Sequence, residues 1–336
     1  MISLKNEFEK MIKEIEGKKN EDIYKLKIIS TNIPFLLAGI DTLNLNRQLY
    51  IDLGEVAWAD EQLRSLPKWR GLSLSIKFFH RIGPLKQRYF LVLKQETEKS
   101  PEIFEDLLQN LIDHLEFMSV DDTLFSVVFS VLDRWRNFFS RGGYFLLTDE
   151  KQRGLYGELH FIQKWMNKFP NQPPLLIEQW EGPTSGRIDF KNSRYGVEIK
   201  TCVEKLRKEI KISNEKQLKL TEVVSQIYLY VCFIEPNQTH GQSLQGIVDE
   251  IRSMLLARSE RLLLKFNDLL TELGFKEDEY KDKLFFIHTE EVYEVTEEFP
   301  KITDNELPLG ISHVSYNIDL NHCKDFSRAL DEVFKM

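Results

Sequence analysis

Thiols, long apolar runs and excess positive charge are all scarce in this sequence. Only three cysteines occur in 336 residues, Cys202, Cys232 and Cys323, with no Cys-x-x-Cys pair and no Cys/His zinc spacing. A disulfide scaffold and a zinc finger are thereby excluded, and thiols this sparse suit a reducing compartment, so a cytoplasmic location is expected. No apolar run approaches the ~20 residues needed to span a bilayer, so no membrane association is expected. The longest run, Ile227 to Ile234, has the length of a strand. Met1 to Gly17 reads as an amphipathic acid-and-lysine helix rather than a secretory signal. No Gly-x4-Gly-Lys-Ser/Thr loop is present, so any nucleotide-driven step would need another protein. Lys and Arg total 45 against 53 Asp and Glu, a net charge of -8. That balance excludes non-specific coating of nucleic acid and confines any such contact to a local patch. The seven histidines show no paired metal spacing.

What is present has the periodicity of an α+β protein. Leu4, Phe8, Met11, Ile12 and Ile15 recur at helical spacing, with Gly17, Lys18 and Lys19 closing the helix. Strands are expected at Leu26–Ile29, Leu49–Leu53, Leu72–Phe79 and Tyr89–Leu93, which makes residues 1–98 an N-terminal α+β module. Two long helices follow, one behind the Ser100-Pro101 cap pair and one over Val120–Phe139, forming a helical connector across 99–147. Thr148 and Asp149, the latter with Gln152 at capping-box spacing, open the next helix, in which Glu158 lies off a buried stripe and the small Gly154 and Gly157 would allow close approach of backbone or substrate. Residues 148–236 read as a core, with a strand at Ile210–Ile212, an N-cap at Ser213, a short helix over Glu215–Leu220 and a strand over Ser225–Ile234. A C-terminal α+β extension, 237–336, carries helices at Ser243–Ala257 and Ser259–Leu273, strands at Leu284–His288, Val292–Val295 and Ile311–Ile318, and a last helix near Phe326–Phe334.

The stretch that carries chemistry is Arg187 to Lys200. Ile188–Phe190 and Val197–Lys200 alternate apolar and polar residues about a polar turn, Lys191–Gly196, which is the pattern of a β-hairpin. A register centred between Ser193 and Arg194 sets Asp189 opposite Glu198, with Cβ atoms about 5 Å apart. Alternation puts Lys200 on the face of Glu198. Two opposed carboxylates repel unless a cation lies between them, so the pattern points to a metal site. Beyond it, Lys200, Lys205, Arg207, Lys208, Lys211, Lys216 and Lys219 stand against Glu204, Glu209 and Glu215, a local charge of +4 suited to a phosphodiester backbone.

Asp189, Glu198 and Lys200 together resemble the signature of the PD-(D/E)xK nuclease superfamily. Gly154-Leu-Tyr-Gly-Glu-Leu159, Trp180-x-Gly-Pro183, Asp189-Phe190, Glu198-Ile-Lys200, Ile212-Ser213 with Gln217-Leu218, and Tyr293-x-Val-x-x-x-Phe299-Pro300 resemble a prokaryotic family within it. That family was first catalogued as a domain of unknown function. The resemblance implies a restriction-endonuclease-like mixed sheet flanked by helices, in αβββαβ order, within residues 148–236. It implies a catalytic set of Asp189, Glu198, Lys200, Glu158 and Gln217. Mg²⁺ or Mn²⁺ would be held by Asp189, Glu198, the Ile199 carbonyl and Glu158, since hard oxygen donors suit these ions. Ser213, Lys205, Arg207, Lys208, Lys211 and Lys216 would face the substrate. The implied partners are DNA and other proteins of restriction or phage-defence gene sets, a methyltransferase or an ATPase, with a homodimer left open. Three readings compete: a DNA endonuclease, a catalytically silent DNA-binding or scaffold subunit, and a nuclease acting on RNA or on modified DNA.

Overall fold

The computed structural model describes residues 3–16, 24–31, 34–96, 101–119, 121–140, 146–184, 186–203, 208–237, 240–277 and 279–335. The protein is α+β and divides into two compact units, Met1–Gly143 and Tyr144–Met336. No helix among the described residues is long and apolar enough to cross a membrane.

The first unit contains α1 (Leu4–Ile15), β1 (Tyr24–Ser30), β2 (Leu36–Asp41), β3 (Arg47–Gly54), α2 (Asp60–Ser65), β4 (Leu72–Ile82), β5 (Leu85–Gln95), α3 (Pro101–Glu116) and α4 (Leu124–Ser140). Its strands form one antiparallel sheet in the order β1-β2-β3-β5-β4. Sequence alternation marks four of these strands but not β2. All six residues of β2 are buried, so it reads as a continuous apolar run without the period of two. The second connector helix starts at Leu124 rather than Val120. Thr123 and Ser126 exchange side-chain and backbone bonds of 3.1 Å that cap it there. Residues 17–19, Ser100 and Val120 lie outside the described residues. Both helices expected as a connector lie in this unit, where α3 packs on α1, α4 and β3.

The second unit contains α5 (Asp149–Lys168), α6 (Leu176–Gln179), β6 (Phe190–Lys191), β7 (Tyr195–Cys202), β8 (Glu209–Ile212), β9 (Gln226–Asn237), β10 (Gln242–Ser243), α7 (Leu244–Leu256), α8 (Glu260–Leu273), β11 (Leu284–Val295), β12 (Tyr316–Asp319) and β13 (Ser327–Arg328). Its main sheet runs β10-β11-β9-β7-β6, with β13 also on β11. The sheet is mixed: β7 and β9 are parallel, and the other pairs are antiparallel. One face buries Val197, Ile199 and Tyr230 against α5, α7 and α8. The opposite face buries Leu229, Val231 and Cys202 with residues of β8 and β12. Because side chains alternate, Glu198 and Lys200 point toward this second face.

Several expected elements take other forms. The strand at 210–212 exists, but it pairs with β12 as a separate ribbon instead of entering the main sheet. No helix forms over Glu215–Leu220. Asn214 accepts the Lys216 N–H at 2.8 Å, and Arg187 takes the carbonyls of Lys216 and Lys219, so turns replace helical bonding. The two strands expected after Leu284 are one strand, β11, with an irregularity between Ile287 and Thr289. The last expected helix is instead short 3₁₀ turns around β13. Thr148, rather than Asp149, caps α5 by accepting the Lys151 N–H at 3.3 Å.

Candidate active site

The hairpin has the register read from its sequence. Phe190 pairs with Val197 and Lys191 with Gly196, which brings the preceding residue Asp189 level with Glu198. The turn is tighter than expected, because Asn192 Oδ1 accepts the N–H groups of Arg194 and Tyr195, each at 2.8 Å. Asp189 itself lies outside the strand. Its carbonyl accepts the N–H groups of Glu181 and Gly182 at 2.7 and 3.2 Å, drawing the chain out of the ladder. Its Oδ2 accepts the Ile199 N–H at 2.7 Å. A carboxylate thus stands where a strand carbonyl would bind the edge of β7, which brings Asp189 to Glu198. The structure engages Ile199 through this N–H.

Glu198 is fully buried. Its Oε1 accepts from Lys200 Nζ and from Gln217 Nε2, both at 2.7 Å, while Oε2 is buried with no hydrogen-bond partner. Gln217 Oε1 accepts the Ser213 N–H at 2.9 Å. The Arg187 guanidinium donates to the carbonyls of Lys216 and Lys219, on either side of Gln217, and so braces the turn that presents the amide.

Glu158 approaches from α5. That helix packs closely on β7 because residue 157 has no side chain: a Cβ there would lie 2.7 Å from Thr201 Cγ2. Gly154, also expected to permit close approach, faces open space. Trp180 Nε1 donates to Glu158 Oε2 at 2.6 Å, and a Cβ on Gly182 would lie 2.2 Å from the same oxygen. The Trp180-x-Gly182 segment therefore fits around the Glu158 carboxylate.

Three acids and one ammonium interact here. Burial, then the negative charges of Glu198 and Glu158, hold the Asp189 carboxyl well above the usual range, against the pull of Lys200 and the Ile199 N–H. Burial likewise pushes Glu158 up to about 7, with the Trp180 bond opposing and Glu198 adding to the rise. For Lys200, burial works against the charge, but Glu198, Asp189 and Glu158 outweigh it and raise its pKa. The cluster is short of positive charge. An orphaned carboxylate oxygen and oxygen-only donors fit a hard divalent cation. Among the described residues, no three His, Cys, Asp or Glu side chains already converge as a metal cage. Asp189, Glu198 and Glu158 are neighbours whose oxygens are partly engaged by Ile199, Lys200, Gln217 and Trp180.

A family model described as "Putative PD-(D/E)XK family member, (DUF4420)" matches residues 6–321. The chain belongs to the DUF4420 family. No curated protein and no solved structure matches it. Membership places this DUF4420 chain among nuclease-like PD-(D/E)XK proteins.

The expected substrate-facing residues of the DUF4420 chain separate into groups. Lys211 and Lys216 are exposed. Lys208 is paired with Glu291 and lies over the Phe233 ring at 5.1 Å. Ser213 is exposed, with its N–H committed to Gln217. Lys205 and Arg207 lie outside the described residues. Sequence reasoning missed the bracing role of Arg187 and the bond from Trp180. The Trp-x-Gly-Pro motif was the available signal for the second, but no periodicity links position 180 to position 158.

Proposed function

We propose that this DUF4420 protein is a divalent-metal-dependent nuclease that hydrolyses phosphodiester bonds in DNA, in the setting of restriction or phage defence. The observation that carries this reading is the concentration of Asp189, Glu158 and the fully buried Glu198 around a single ammonium, with Glu198 Oε2 unpaired. Asp189, Glu198 and Glu158 would hold Mg²⁺ or Mn²⁺. When bound, such an ion supplies Lewis acidity to a phosphoryl oxygen and to water.

The chain's own residues do the rest. Lys200 offsets charge that builds on the phosphate and orients the attacking water. Gln217 keeps Glu198 in place, and the burial of Glu198 limits competing water. Lys211 and Lys216 are exposed cations available to flanking phosphates. Purified protein incubated with duplex and single-stranded DNA and Mg²⁺ or Mn²⁺ tests the reading. Equal cleavage by wild type, Asp189→Ala and Lys200→Ala would sink it, and a substrate panel with RNA and modified DNA fixes the substrate class.

One observation favours a second reading, a silent DNA-binding or scaffold subunit. Lys200 and Gln217 both close on Glu198 Oε1, so a cation must compete with bonds already made. Loss of divalent-ion binding on Asp189→Ala or Glu198→Ala separates the readings, because a silent subunit has no such ion to lose.

A further inference from the structure

The first unit holds a cavity of about 500 Å³ between α3, α4 and the turn before β4. That volume lies in the range of small-molecule and cofactor sites. Its wall is mostly apolar and includes Trp69, Phe104 and Phe139. Trp69 and Phe139 contact each other at 5.7 Å between ring centroids, tilted by 41°, and Trp69 is only half-buried. Two guanidinium groups, Arg70 and Arg136, also line it. Arg70 is exposed and has no partner among the described residues, while Arg136 pairs with Asp133 one turn away on α4. Gln95, almost fully buried, also lines the wall, with its Oε1 accepting the Arg47 N–H at 3.1 Å.

We propose that this cavity binds a nucleotide unit, with the base against Trp69, Phe104 and Phe139 and the phosphate on Arg70 and Arg136. A base offers two π-faces to ring side chains without needing a fixed hydrogen-bond pattern. Guanidinium groups match phosphate oxygens with paired, charge-assisted hydrogen bonds. An acyl chain would fill the apolar volume but would gain nothing from the stacking faces of the rings. The site lies in the first unit and does not depend on the nuclease reading of the second.

The test uses the full chain in EDTA, so that no metal-dependent cleavage intervenes. Tryptophan fluorescence and calorimetry follow titration with AMP, TMP, inorganic phosphate, a short DNA single strand, the same sequence as a duplex, and oleate. Binding of a mononucleotide or strand that quenches tryptophan emission is expected. Arg70→Ala and Arg136→Ala, both at surface positions, should each weaken it about tenfold, as loss of a charge-assisted bond does. Trp69→Phe should remove the quenching. Mononucleotides binding as tightly as the strand would identify a free nucleotide, and binding of the strand alone would identify nucleic acid. The proposal is overturned if no nucleotide-bearing probe binds, if both arginine variants bind like wild type while keeping its Tm, or if only phosphate or only oleate binds. Cleavage by the same preparation with Mg²⁺ restored is scored separately, so failure of either reading leaves the other standing.

Discussion

Two carboxylate clusters in the second unit draw on the same helix, α5, and have opposite electrostatics. Around Glu290, every demand of the carboxylate is met. Its Oε1 accepts from Tyr230 and faces His160 Nε2 at 3.0 Å, and Oε2 pairs with Lys164 at 2.5 Å. Burial alone would raise the Glu290 pKa, but the bonds from His160, Lys164 and Tyr230 outweigh it and bring the pKa down to about 2. Around Asp189, Glu198 and Glu158, burial is of the same kind but donors are too few. One oxygen is orphaned and two acids are held above their usual range. A charge that serves the fold is paired until it no longer responds to its surroundings. A charge kept short of partners leaves free energy for a ligand to recover, and that difference is the ground on which the second cluster is proposed as the functional one.

The sharpest way to break this comparison is to remove one acid from each cluster. Asp189→Ala or Lys200→Ala should lower DNA cleavage by about 10²- to 10³-fold, the scale of losing a major charge-stabilising group; Tm should change little in Asp189→Ala and fall in Lys200→Ala, which leaves the buried Glu198 without its ammonium. Glu290→Gln should do the reverse, keeping cleavage and destabilising the fold by roughly 1–3 kcal/mol through broken charge-assisted bonds. Cleavage assays and urea melts on one set of variants check both.

The clusters should also titrate stability in opposite directions. The Glu158 pKa is raised from an ordinary 4.5 to about 7, so its contribution is present below about 4.5 and is lost as pH rises through 7. The Glu290 pKa is lowered to about 2, so its contribution is present above about 4.5 and is lost as pH falls toward 2. Glu158→Gln should therefore gain on wild type between pH 5 and 8, and Glu290→Gln should lose its penalty in acid. Urea midpoints across pH for the three proteins test this, and parallel curves would contradict it.

The smallest expected effects separate the two glycines of α5. Gly157→Ala should destabilise by roughly 1–3 kcal/mol, the usual scale of overpacking, because its Cβ meets Thr201 Cγ2. Gly154→Ala has room for its methyl group and should stabilise by about 0.5–1 kcal/mol through helix propensity. Thermal melts decide, and equal shifts would show that α5 does not press on β7 at residue 157.

The hairpin was legible because its alternation and polar turn act locally, and the register that levels Asp189 with Glu198 follows from those few residues. The α5 stripe and the α7 and α8 helices were legible for the same reason. Bonds that span the chain were not. Nothing in the pattern says that Trp180 donates to Glu158, that Arg187 holds the carbonyls beside Gln217, or that β8 leaves the main sheet for β12. The stretch Asn214–Lys219 has the spacing of a short helix, yet tertiary bonds from Arg187 and the Asn214 side chain override that preference. β2 was invisible for a different reason, since burial on both faces erases the alternation that marks a strand.

The central claim is that the Asp189–Glu198–Glu158 cluster lacks a cation that a divalent metal supplies. Calorimetric titration of the metal-free protein with Mn²⁺ at pH 7.5 tests it directly. Binding of Mn²⁺ at a specific site in wild type, abolished in Asp189→Asn and Glu198→Gln and leaving those variants folded, is the predicted result. No Mn²⁺ binding by wild type, or binding undiminished in both variants, would contradict it.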